Sequence, residues 1–115
     1  MNSNLPPALD SPCEELFDSA IDKALLLLGE SGRKATYYHI EKTFRLKRDA
    51  WHKNPEAFAE AVEQIFGPGS QLLLEAIVKE LYADLGLKFQ ETKQFSFAHF
   101  VRQAQRYSRG GEEFD

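Results

Sequence analysis

The sequence predicts an all-α fold, an irregular bundle of about five helices, and three observations carry that prediction. First, apolar residues recur at helical spacing through SQLLLEAIVKELYADLGL, residues 70–87. Leu74, Ile77, Val78, Leu81 and Leu85 span about 100° of a helix surface, the width of a core-facing stripe. Second, helix-start signals stand ahead of the apolar runs, as Ser11-Pro12, Asn54-Pro55 and Ser96. Third, alternation suited to a strand is confined to residues 87–95, where a short extended piece or hairpin is the other reading.

Residues 1–10 read as a flexible leader, because Pro6 and Pro7 block a helix. Ser11 can cap the first helix, with Pro12 at its first position and Glu14 completing a capping box. Phe17, Ile21, Ala24, Leu25 and Leu28 form its stripe, and Gly29 is the expected stop. Leu26 and Leu27 widen the apolar surface toward a second neighbour or a contact patch.

A second helix is expected over about 32–45, with Tyr37, Ile40, Glu41 and Phe44 on one face. The short connection before it predicts an antiparallel pair. Tyr37 and Tyr38 carry hydroxyls and are expected at the border of the core. The connector LKRDAWHKN, residues 46–54, holds the only tryptophan. Trp51 either plugs the core from this loop or offers an exposed aromatic within a basic surface.

Asn54-Pro55-Glu56 opens a helix whose stripe is Phe58, Val62, Ile65 and Phe66. Gly67-Pro68-Gly69 then breaks the chain tightly before the central helix, with Ser70 as its cap and Gly86 closing it. Leu72, Ala76 and Ala83 form a second, narrower strip, which predicts neighbours on more than one side. The alternative for this helix is the seam of a homodimer. The outward residues of the same helix, including Glu75, Glu80 and Asp84, are net acidic. That argues against a DNA-reading helix-turn-helix. The last helix is expected from Ser96, with Phe97, Phe100, Val101, Ala104 and Tyr107 inward and Arg102, Arg106 and Arg109 outward. Residues 11–109 thus make one helical domain, and 110–115 an acidic tail.

A chain of 115 residues can bury a core without disulfides or a structural metal. The single cysteine, Cys13, leaves no intramolecular disulfide framework, and the expectation is a cytoplasmic protein. No apolar run approaches the roughly 18 residues of a membrane span, and the N-terminus lacks the layout of a signal peptide. There is no P-loop, GxGxxG, HExxH or GxSxG pattern. His39, His52 and His99 are too scattered for a metal site. The chain is therefore expected to be no enzyme and to use no cofactor or metal.

Charge is distributed by segment. Residues 10–30 and 56–91 are acidic, whereas 33–53 hold seven bases against two acids. This predicts oppositely charged helices packing together or a surface with a basic face. The overall charge of −4 argues against sequence-independent nucleic-acid binding. Candidate partner-binding residues are Arg33, Lys34, Lys42, Arg45, Lys47, Arg48, Trp51 and Lys53.

FDSAIDKALLLLGES (17–31), YYHIEKTFRLKRD (37–49), NPEAFAEAVEQIFGPGS (54–70) and IVKELYADLGLKF (77–89) together resemble the archaeal Nitrosopumilus output domain family, fifth type. The resemblance covers roughly residues 16–104 and rests on order and pattern. Arg45 departs from the glycine expected at the end of the second helix. The resemblance implies a small helical signalling output module and defines no functional residues. Together these readings lead us to expect a protein-interaction module with an unidentified protein partner, the alternative being nucleic-acid binding through 33–53.

Overall fold

The computed structural model describes residues 11–91 and 94–110. The expected leader and all but the first residue of the acidic tail lie outside the described residues, as do the side chains of the Ser11-Pro12 start. Five α-helical segments are present: α1 (Ser11–Leu25), α2 (Gly29–Thr43), α3 (Pro55–Phe66), α4 (Ser70–Leu85) and α5 (Phe97–Gly110). They do not form five separate rods. The 3-10 turn Leu26–Leu28 joins α1 directly to α2, and Gly67–Gly69 joins α3 to α4. The expectation of about five helices is thus corrected to three long helical stretches, two of them bent.

The physical reason lies in the glycines. Gly29 has φ +85° and ψ 166°, a conformation essentially reserved for glycine. It bends the chain between two helical turns instead of ending the helix in a loop. The bend also moves Leu28, expected in the core, to 41% exposure, while Leu27 is 77% exposed. Gly67, with φ +61°, serves the α3–α4 junction in the same way. Among the described residues there is no strand, so the extended reading of 87–95 is not realised. Phe89 and Phe95 hold this segment instead by packing on Phe100, with ring centroids 5.0 and 5.5 Å away.

Local signals elsewhere act as their chemistry requires. Asn54 Oδ1 accepts from Ala57 N–H at 3.2 Å, with Pro55 first in α3. Ser96 Oγ accepts from His99 N–H at 3.3 Å at the head of α5. Gly86 is left-handed, Leu87 N–H donates to Tyr82 O at 2.8 Å, and Gly86 N–H donates to Ala83 O at 3.1 Å. This pair of bonds is the Schellman closure. Ser70 is the exception. It already has helical angles and makes no capping bond.

The core is built around α4, against which α1 packs most extensively. Leu74, Ile77, Val78 and Leu81 are buried, so this part of the stripe is consumed within the chain. Burial widens through Leu73 and Tyr82. Of the narrower strip, Ala76 is half-buried against the core, whereas Leu72 and Ala83 are exposed, Leu72 to 78%. Phe17, Phe58 and Phe97 interlock with centroids 5.6–6.2 Å apart, and Trp51 adds to Phe58 at 4.9 Å. Edge-on and tilted contacts of this kind add to the area term. Among the described residues no helix is long and apolar enough to cross a membrane.

Candidate interaction surface

The basic segment 33–53 divides into an inward part and an outward part. Arg33, 20° around α2 from the buried Ile40, leans toward α1. Arg33 Nη1 donates to Asp22 Oδ1 at 3.1 Å, and Arg48 Nη2 reaches the same oxygen at 3.2 Å. Tyr37 also donates its hydroxyl proton to that oxygen. The Arg48 guanidinium stacks over the Tyr37 ring and lies 5.6 Å from the Trp51 ring centroid. Its backbone N–H donates to Glu41 Oε2 at 3.0 Å. Two of the expected partner-binding residues, Arg33 and Arg48, are therefore parts of the fold. The Nε–H groups of both are buried with no hydrogen-bond partner among the described residues.

Of the two readings of Trp51, the structure shows the core plug, which removes it from the candidate contact residues. It is fully buried, and its indole N–H donates to Leu46 O at 2.8 Å. Burying a ring of this size contributes roughly 4–6 kcal/mol by transfer. The connector is folded around it, as Ala50, Trp51 and Asn54 donate to carbonyls within the same loop.

Opposite this loop, Glu14, Asp18 and Asp22 follow one another along α1 at four-residue spacing. His52 Nε2 lies 3.5 Å from Glu14 Oε2, and Gln105 Nε2 donates to His52 O at 2.6 Å. Burial pushes the Asp18 carboxyl upward, outweighing the pull of Arg48. The segmental charge pattern is thus used in part for helix pairing. Lys23 to Glu80 and Asp84, and Arg102 to Glu56, are further examples.

What remains outward is Lys34, Lys42, Arg45, Lys47 and Lys53. All are exposed, and none makes an ion pair among the described residues. Lys34, Tyr38 and Lys42 stand four residues apart on the solvent face of α2, and Tyr38 is 64% exposed. The exposed aromatic of the basic region is therefore Tyr38, not Trp51. Tyr37, one position away, takes the core-border place expected of both tyrosines. The signal was present in the spacing, since Tyr38 lies 160° around the helix from Ile40. At the end of this ridge, Lys42, Lys47 and Arg48 share a shallow depression of about 470 Å³ with Glu41 and Asp49.

Arg45 follows with φ +55°, the only described non-glycine residue with positive φ. It takes the left-handed turn that a glycine would make, and Ile40 O accepts from both Phe44 and Leu46 N–H there. Among the described residues, no three His, Cys, Asp or Glu side chains converge as metal ligands would. Cys13 is buried. No family model, curated protein or solved structure matches the chain.

Proposed function

We propose that the protein is a protein-interaction module acting in signal output in the cytoplasm, and that its contact surface is the Lys34–Tyr38–Lys42 ridge with Lys47. The observation that carries this reading is Tyr38, a large aromatic 64% exposed between two lysines without ion-pair partners among the described residues. Tyrosine combines apolar area with a hydroxyl and little rotamer entropy, which suits the centre of an interface. The flanking ammonium groups select an acidic protein surface and speed encounter with it.

The test is affinity capture from native lysate, with and without nuclease, comparing the chain with a Lys34→Glu, Lys42→Glu, Lys47→Glu variant. Arg48 is left intact because it holds Asp22. A protein retained through nuclease and lost with the variant supports the reading. Retention by both forms removes the ridge from consideration. Recovery that disappears with nuclease transfers the ridge to nucleic acid, with affinity falling steeply in salt.

A further inference from the structure

On α3, Glu56, Glu60 and Glu63 are all exposed and form one row. A guanidinium already occupies the first place in it. Arg102 Nε and Nη2 donate to the two Glu56 oxygens at 3.1 and 2.6 Å. Glu60 and Glu63 have no ion pair among the described residues. The row borders a groove of about 720 Å³ between α3 and the segment leading into α5, floored by Ala59, Phe95 and Ala98. That volume lies within the roughly 300–1,000 Å³ of clefts that hold ligands.

Ser70 is part of the same lining, at 6% exposure. Its side chain caps no helix and has no hydrogen-bond partner among the described residues.

We propose that this groove is a docking site for a cationic amphipathic segment of a partner protein. Its apolar side chains would seat on Ala59, Phe95 and Ala98, and its lysine or arginine side chains would pair with Glu60 and Glu63 as Arg102 pairs with Glu56. Charge decides the class of occupant, because an acidic segment would meet two unpaired carboxylates at the wall. The site is separate from the Lys34–Tyr38–Lys42 ridge and does not depend on it.

The experiment titrates the whole chain into a fluorescein-labelled Lys/Leu amphipathic peptide of about four helical turns, with a Glu/Leu peptide of the same pattern beside it. Anisotropy reads affinity, and backbone amide shifts locate the contact. Saturable binding of the Lys/Leu peptide alone is expected, with shifts at Ser70, Phe95 and Ala98. Glu60→Lys with Glu63→Lys should weaken it about tenfold or more. Glu15→Lys with Asp49→Lys imposes the same change of net charge elsewhere and should weaken it less than about threefold. Lys34→Glu with Lys42→Glu should leave the contact in the groove. Equal weakening by the two acid-to-lysine pairs, equal binding of both peptides, shifts centred elsewhere, or no saturable binding would each overturn the proposal. So would concentration-dependent self-association that the groove variant abolishes, because a second copy would then be the occupant.

Discussion

The Arg48 guanidinium carbon lies 4.1 Å from the centre of the Tyr37 ring, and both side chains end on one oxygen of Asp22. A loop residue, a helix α2 residue and a helix α1 residue are thereby locked together. Asp22→Ala removes the shared acceptor and leaves Arg33 and Arg48 partly buried without it. The expected loss is about 1–3 kcal/mol in urea unfolding. Asp22→Asn, which keeps an acceptor oxygen, should lose less.

Trp51 should behave as a core residue. Trp51→Ala is expected to cost about 3–5 kcal/mol. Trp51→Phe keeps most of the volume but leaves Leu46 O without its indole donor. It should cost about 1–2 kcal/mol. In the native chain, indole fluorescence should be blue-shifted and shielded from acrylamide, and urea should abolish both properties.

Arg45 invites a stabilising change. Its left-handed φ of +55° costs a residue with a Cβ about 1 kcal/mol relative to glycine. Arg45→Gly should therefore raise the thermal midpoint by a few degrees. Gly29→Ala is the opposite case. A methyl there meets nothing within 4 Å, yet φ is +85°. Strain alone should lower stability by about 1–3 kcal/mol.

Two ionisable groups give pH signatures of the same sign in different windows. Burial pushes the Tyr82 phenol up to about 12, against a smaller pull from Arg106. Between pH 10 and about 12 the unfolded chain loses this proton while the folded chain keeps it. Stability therefore falls across that window, and Tyr82→Phe should remove this part of the fall. Asp18 is raised by burial, so its charged form opposes folding at neutral pH. Asp18→Asn should raise the thermal midpoint at pH 7, with the gain fading as the solution becomes acidic enough to protonate the wild-type carboxyl.

Residues whose signals are local were legible in the sequence. Asn54-Pro55, Ser96 and Gly86 each set a helix end through a bond within a few positions of themselves. Leu28 was misread because a glycine after an apolar run has two local meanings, a stop or a bend. Only contacts from α2 onto α1 decide between them. Trp51 was ambiguous for a similar reason, since the carbonyl that receives its N–H is placed by the folded connector. Net charge could not separate Arg33 and Arg48 from Lys34 and Lys42. Angular position could have helped, because Arg33 lies near Ile40 on α2 and Lys34 lies well around the helix from it. The narrower strip shows the limit, with Ala76 on the core but Leu72 and Ala83 exposed, because periodicity counts apolar residues without knowing how many neighbours a helix has.

The dominance of the α1–α4 contact has a consequence for biosynthesis. Phe17, Ile21 and Leu25 emerge from the ribosome well before Ile77 and Leu81, the residues of α4 that complete the core. At about 10 residues per second, α1 waits roughly six seconds for α4. During that interval the nascent chain carries an uncovered apolar stripe, a natural substrate for chaperones that screen emerging polypeptides. Arrested chains released after residue 66 should be cleaved rapidly by protease, and chains extended through α5 should resist. Equal resistance of the shorter chain would show that α1, α2 and α3 fold without α4.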